Sequence, residues 1–265
     1  MHLEFFSASD TGRARSNNED SVAIDEDCGL LTLADGMGGY NAGEVASGMA
    51  TAFIQTELGR WLRQVADTAS DEDVRRALDL CVDHANRSIF DAANANAQFA
   101  GMGTTLVVAV FRGARLLLGH VGDSRAYRLR DGRLAQITRD HSLLQEQIDA
   151  GLITPQQASF SANKNLVTRA VGVEETVLLE THLHDVLAGD VLLLCSDGLS
   201  DMLDDTVIGR ILRDHPVLAD AGTALIAAAN AAGGKDNIAV ALARVVQVAG
   251  TGANGGARSW WPFGR

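Results

Sequence analysis

The chain has 265 residues, 46% of them apolar, and a formal net charge of −12. That length and apolar share allow a full hydrophobic core in one large domain. The negative charge excludes a broad cationic face of the kind that binds nucleic acid, though it leaves a phosphorylated protein substrate open, because bound cations can reverse a local field.

Leu3 to Ser9, Ser21 to Ile24 and Leu30 to Ala34 read as strands. Glu44 to Leu62 reads as a helix with Val45, Met49, Phe53 and Leu62 among its apolar positions. Ser70-Asp71-Glu72-Asp73 predicts an N-cap at Ser70. The helix after it carries Val74, Ala77, Leu78, Cys81, Ala85 and Ile89 on one face. Thr104 to Phe111, Arg115 to Val121 and Arg125 to Arg130 are strands, and Asp131-Gly132 makes a hairpin turn to Leu134 to Ile137. Ser142 to Ala150 reads as a helix stopped by Gly151, and Thr154-Pro155 as the start of another. Phe160 to Thr168 is loop-like. Leu178 to Leu183 and Val191 to Cys195 are strands, Asp205 to Arg213 and Leu218 to Ala232 helices, and Ile238 to Val246 the last strand. Strands joined by short turns should be antiparallel, so the order predicts an α+β sandwich in one domain, residues 1–248. Residues 249–265 read as a flexible glycine-rich tail with an aromatic tip at Trp260, Trp261 and Phe263.

No targeting segment is expected at Met1-His2-Leu3-Glu4, and apolar runs such as Leu106 to Phe111 are strand-sized, too short to span a membrane. Cys28, Cys81 and Cys195 are odd in number and far apart, and two of them lie in apolar segments and should be buried. A reducing, cytoplasmic setting fits them better than a disulfide framework.

Five short runs set an acid beside glycine or asparagine: Asn18-Glu19-Asp20, Asp35-Gly36-Met37-Gly38-Gly39, Gly122-Asp123-Ser124, Ser196-Asp197-Gly198 and Gly233-Gly234-Lys235-Asp236-Asn237. Asp35 and Asp197 each follow a strand-like apolar run. Carboxylates at strand ends, with glycine allowing close backbone approach, suit hard cations bound through oxygen, Mg²⁺ or Mn²⁺ rather than Zn²⁺. A pair of such ions activates water and clamps a phosphoryl group.

Taken with Gly103-Thr104-Thr105, Gly122-Asp123-Ser124-Arg125-Ala126-Tyr127 and Arg139-Asp140-His141-Ser142, these runs resemble the metal-dependent serine/threonine protein phosphatases of the 2C type, in their compact bacterial form, over Phe5 to Val246. The resemblance implies a four-layer α-β-β-α sandwich of two antiparallel sheets. It implies hydrolysis of phosphoserine and phosphothreonine by attack of a metal-bridging water. Asp35 resembles the carboxylate shared by two Mn²⁺ or Mg²⁺ ions, and Gly36 would offer its carbonyl to one. Asp197 and Asp236 would bind the other ion directly, while Glu19 and Asp20 would hold metal-bound waters. Arg15 matches the phosphate-binding arginine, whose fork suits two phosphate oxygens. Asp123, with Asp197, matches a weaker third site, and Asn237 would support the Asp236 loop. Leu143 to Thr168 would form a flap beside the site. The implied partners are phosphorylated proteins, including a bacterial serine/threonine kinase, with the chain a monomer. One departure is Met37, where many eukaryotic relatives carry a histidine as general acid; a thioether delivers no proton.

Blander readings compete. A single Asp-Gly after a strand is usually a turn, and only the ordered set points to a metal site. His141 reads as a structural histidine bonded to backbone rather than a base, His84 as a surface residue, and His182, His184 and His215 carry no pattern. Cys81 and Arg87 have the spacing of cysteine-dependent phosphatases, but they lie in a helical pattern with no glycine loop, and Asp83 would repel phosphate. Gly234-Lys235 lacks the Ser/Thr and upstream glycine of a nucleotide-binding loop. A non-catalytic relative that binds phosphorylated partners or acts as a scaffold is the alternative function; such proteins usually lose metal ligands, and here every expected acid is present. A phosphorylated anti-sigma antagonist is a narrower substrate under the same chemistry.

Overall fold

A computed structural model describes residues 1–39, 42–65, 68–154, 157 and 166–248. Two antiparallel sheets stack face to face. The first takes β1 (His2–Asp10), β7 (Arg125–Arg130), β8 (Arg133–Gln136), β10 (Val191–Cys195) and β11 (Ile238–Gln247), in the order β1-β11-β10-β7-β8. The second takes β2 (Asp20–Asp25), β3 (Leu30–Met37), β5 (Leu106–Arg112), β6 (Arg115–Val121) and β9 (Glu180–Asp185), in the order β2-β3-β5-β6-β9, with the short β4 (Gly103–Thr104) on β3. Leu31, Leu33, Val107, Ala109, Leu118, Leu194 and Ala241 fill the space between the sheets.

Helices cover both outer faces. α1 (Ala42–Phe53), α2 (Gly59–Val65) and α3 (Asp71–Ala95) bury Ala46, Ile54, Leu58, Val74 and Leu78 against the second sheet. Beyond α4 (Leu143–Asp149) and a single turn, α5 (Asp197–Ser200), lie α6 (Asp205–Asp214) and α7 (Leu218–Ala231), which pack Ile208, Leu212 and Leu225 on the first sheet. The result is the expected α-β-β-α order of layers.

Local chemistry explains the boundaries. Ser70 caps α3 through a reciprocal box with Asp73, as expected from sequence. Asp131 and Gly132 both take positive φ, 50° and 74°, which matches the twist of the β7–β8 hairpin. The helix expected over Glu44 to Leu62 is interrupted by a π-helical stretch at Ile54–Leu58. Its buried positions are Ala46, Ala50, Ile54, Leu58 and Leu62, a spacing of four. An ordinary α-helix would rotate that face away, and the wider π turn brings it back. Val45 and Met49, expected on the apolar face, only flank the core. β9 begins two residues later than its sequence pattern suggests.

Cys195 is buried, but Cys81 is only half-buried at the edge of the α3 core, because it lies beside rather than on the line of Leu78 and Val82. Arg87 pairs with Asp91 and Glu175 on the α3 surface, so the Cys81–Arg87 spacing builds no phosphate loop. His84 is exposed, as expected. At the helix start expected at Thr154-Pro155, Thr154 Oγ1 accepts from the Gln157 N–H at 3.2 Å and Gln157 Oε1 from the Thr154 N–H at 2.8 Å, a reciprocal cap. Pro155, most of the loop from Phe160 and the tail from Ala249 lie outside the described residues. No helix among the described residues is long and apolar enough to cross a membrane.

Candidate metal centre

The five acidic runs meet at one end of the sandwich. Pairing of β2 with β3 sets Asp20 opposite Asp35. Asp123 sits in the turn from β6 to β7, Asp197 opens α5 directly after β10, and Asp236 precedes β11. Arg15, Glu19, Asp35, Gly36, Asp123, Asp197 and Asp236 line one pocket of about 290 Å³, with Met37, Gly38, Thr105 and Val167. Asp20 stands behind it: its Oδ2 accepts a hydrogen bond from the Ser196 hydroxyl at 2.7 Å. A larger cleft of about 640 Å³ at the opposite ends of β2, β3, β5 and β6 has only Glu26 and Asp27 as acids, with Arg63 and Arg112 also in its lining, so chemistry rather than size marks the site.

The backbone here leaves no room for side chains. A Cβ on Gly36 would lie 2.1 Å from the Gly43 carbonyl oxygen. One on Gly198 would lie 1.8 Å from the Asn237 carbonyl oxygen. Gly12, at φ +81°, touches the Asp236 carbonyl, where a Cβ would come within 2.2 Å. Side chains then tie the loops together. Asn237 Nδ2 donates to the carbonyls of Thr11 (3.0 Å) and Asn17 (2.8 Å), and its Oδ1 accepts from the Glu19 N–H at 2.8 Å. Thr105 Oγ1 accepts from the Asp35 N–H at 2.9 Å and bonds Ser124 Oγ at 2.8 Å, which links Asp35 to the Asp123 turn.

This end of the molecule carries more negative charge than it can balance. Burial, together with Asp20, Asp197, Asp123 and Asp236, pushes the Asp35 carboxyl well above its usual range. Burial and the neighbours Asp123, Asp201 and Asp236 do the same to Asp197. Asp20 is pushed up to about 7, mainly by burial, against the opposing Ser196 hydrogen bond. Asp123 rises to about 6 through burial and Asp140. Arg15 supplies one countercharge: its Nη2 donates to Asp236 Oδ2 at 2.7 Å, and its side chain is half exposed. Asp20 Oδ1 is buried and receives no donor. Convergent carboxylates, an orphaned carboxylate oxygen and glycine-lined backbone fit hard divalent cations.

All eight residues expected at the site are therefore in or directly behind one pocket. Sequence reading missed Gly12 and the tying role of Ser196, and it noted Thr105 only as part of a motif. A signal existed for Ser196, which adjoins Asp197; Gly12 had none, since its contact with Asp236 spans the whole chain. His141 bonds backbone as expected, its Nδ1 accepting from the Gly122 N–H at 3.1 Å. Val167, at the base of the expected flap, reaches the pocket through the Thr168 N–H bond to the His141 carbonyl.

Comparison with known proteins agrees with this architecture. The protein phosphatase 2C pattern matches residues 11–243. The serine/threonine protein phosphatase PstP of Mycobacterium tuberculosis is 41% identical over 244 residues, covering 92% of this chain and 45% of PstP. The chain thus spans about half the length of that relative. The serine/threonine phosphatase stp of Listeria monocytogenes is 37% identical over 245 residues, 91% of this chain and 95% of stp. The crystal structure of the PstP catalytic domain with two manganese ions superposes with a TM-score of 0.80 at 41% identity, covering 92% of this chain and 99% of that one. A pattern match across nearly the whole described fold, with full-length relatives, places the chain in the protein phosphatase 2C family.

Proposed function

We propose that the protein hydrolyses phosphoserine and phosphothreonine in protein substrates with the help of two divalent cations, Mn²⁺ or Mg²⁺, and a weaker third. The observation that carries this reading is the convergence of Asp35, Asp197, Asp123 and Asp20 into a common field that holds their carboxyls above the usual range. The manganese pair reported for PstP supports the choice of ion.

Bound cations supply Lewis-acid activation of water and neutralise phosphoryl oxygens. Asp35 is the residue to be shared between two ions, with the Gly36 carbonyl beside it. Asp197 and Asp236 would hold the second ion, Glu19 and Asp20 would hold metal-bound waters, and Asp123 with Asp197 would hold the third. Arg15 binds the phosphate. Its ion pair with Asp236 is exposed enough to open, and Asp236 then turns to the cation while the guanidinium turns to phosphate oxygens. Met37 holds no transferable proton, so the leaving serine or threonine oxygen takes its proton from water. Residues 1–248 make up the catalytic domain of a cytoplasmic monomer that opposes a serine/threonine kinase.

The test is hydrolysis of an aryl phosphate and a phosphothreonine peptide by the full chain, with Mn²⁺ and with EDTA. Activity should require the cation and survive Cys81→Ser. Full turnover in EDTA, abolished by Cys81→Ser, would sink the proposal, and binding of the peptide without turnover would favour a scaffold.

A further inference from the structure

No histidine lines the acidic pocket, but four of the chain's seven gather around the β6–β9 pair, behind the Asp123 turn. His120 lies opposite Glu180 in register, and Leu118 opposite His182. Alternate residues of a strand share a face, so His120, Glu180 and His182 point the same way as Leu118, into the space between the sheets. His120 is fully buried there. Its ring stacks on His141 at 4.7 Å and lies 6.4 Å from His182. One nitrogen each of His120 and His141 and a carboxylate oxygen of Glu180 lie within 4.8 Å of one another; His182 stands outside that group, held to it by Glu180, and has to turn inward to join it.

Hydrogen bonds fix which nitrogens are free. His120 Nε2 lies 2.8 Å from the Arg139 carbonyl oxygen. A carbonyl only accepts, so Nε2 carries the proton and Nδ1 keeps its lone pair. That Nδ1 is buried with no hydrogen-bond partner. A histidine whose one N–H donates to a carbonyl while the other nitrogen is bare is oriented as metal-ligating histidines are. His141 is arranged in the opposite sense. Its Nδ1 accepts from Gly122, so Nε2 carries the proton and donates to Glu180 Oε2 at 3.1 Å. His141 therefore orients the carboxylate and is not itself a ligand. Glu180 Oε1 lies 2.7 Å from Nε2 of His182, whose side chain is partly exposed and able to turn. Burial would raise Glu180, but its bonds to His182 and His141 outweigh it and hold the carboxyl at about 2, so it is ionised at neutral pH.

We propose that His120 Nδ1, the Glu180 carboxylate and the His182 imidazole form a second cation site, distinct from the acidic centre and suited to a transition-metal dication. Two imidazoles and one carboxylate with an open fourth position are a zinc ligand set, whereas Mg²⁺ takes oxygen ligands. The ion replaces the direct Glu180–His182 contact and gives the bare His120 nitrogen a partner. Arg169, whose Nη1 lies 3.4 Å from His141 Nε2, is exposed and swings toward solvent as the second positive charge enters.

Zn²⁺ and Co²⁺ are the probes. The full chain carrying Asp35→Asn, which weakens the acidic centre, is titrated with each ion. It should bind one Zn²⁺, and its Co²⁺ form should show the intense visible absorption of a nitrogen-bearing, low-coordinate site rather than the weak bands of six oxygens. Adding His120→Gln or Glu180→Gln should each weaken Zn²⁺ binding at least tenfold and remove that spectrum. In the otherwise wild-type chain, with Asp35 intact, both single changes should keep Mn²⁺-dependent hydrolysis, which reports the fold. If the buried His120→Gln does not fold, Glu180→Gln and His182→Ala on the edge strand carry the comparison. Zn²⁺ binding that survives all these changes, loss of it with Asp35→Asn alone, or only the weak oxygen-type spectrum would overturn the assignment.

Discussion

Stripping the divalent cations should produce a protein that loses stability as pH rises, the reverse of ordinary acid denaturation. An aspartate in the unfolded chain titrates near 3.8, whereas burial above all holds folded Asp20 at about 7 and Asp123 at about 6. Between the two values the folded state keeps a proton that the unfolded state has released. Raising pH through that window therefore favours unfolding, and the loss is complete once pH passes the folded value. A pKa unit corresponds to about 1.4 kcal/mol, so Asp20 alone accounts for about 4 kcal/mol and Asp123 for about 3 kcal/mol. The two share one field and do not add fully; of a combined loss of roughly 5 kcal/mol, roughly 3 kcal/mol falls between about pH 5 and about pH 7.5, which lowers Tm by about 6–12 °C in a domain of this size. Thermal unfolding in EDTA and in Mn²⁺, at about pH 5 and about pH 7.5, measures it. The gap between the two curves should widen at the higher pH, and Asp20→Asn should raise the Tm of the EDTA-treated protein there. A gap that stays constant or closes as pH rises would refute the claim that the acids oppose one another in the empty fold.

Arg15→Ala should raise KM for an aryl phosphate roughly tenfold, the worth of a charge-assisted pair, with a smaller fall in kcat; unchanged steady-state kinetics would remove Arg15 from the phosphate site. Met37→Ala should keep most of the turnover, and a loss as deep as that of Asp35→Asn in a folded protein would show a role for the thioether. Gly12→Ala should weaken Mn²⁺ binding by at least about tenfold, because positive φ and the Asp236 carbonyl 2.2 Å from the new Cβ together force the Asp236 loop to move; isothermal titration reads the shift, and wild-type affinity would show that the loop yields freely. Removing residues 249–265 should leave hydrolysis of a small phosphate ester nearly unchanged, and a severe loss would move the domain boundary past residue 248.

Much of the site was legible because its ligands are set by short local patterns. An acid after an apolar run lands at a strand end, and a glycine next to it leaves the backbone bare, so Asp35-Gly36 and Ser196-Asp197-Gly198 could be read directly. The layers were legible from strand and helix periodicity, but the pairing of β1 with β11 joins the two ends of the described fold and has no local trace. The π stretch at Ile54–Leu58 was hidden for a related reason: a spacing of four is close enough to helical that only packing shows the extra residue. The histidine cluster was invisible because His120, His141 and His182 come from three separate segments. Each looks unremarkable where it stands, and His182 and His184 show only the alternation of an edge strand.

The way the acids are held bears on why the site forms as a unit. Asp20 and Asp35 belong to strands of the second sheet, while Asp197 follows and Asp236 precedes a strand of the first. Neither sheet alone gathers the full charge. The junction between them is made by polar contacts: Asn237 to Thr11, Asn17 and Glu19, and Ser196 to Asp20. Each of these draws two like-charged loops together, so hydrogen bonding and the apolar core between the sheets must overcome electrostatic repulsion that a cation would relieve. Binding of the cation and docking of the two sheets at this end are therefore linked: whatever strengthens one strengthens the other. The glycines act within each layer. Gly12 and Gly198 meet the Asp236-Asn237 backbone at the end of the first sheet, and Gly36 meets Gly43 and Glu19 beside the second, so a side chain at any of them would displace a loop that carries the charges.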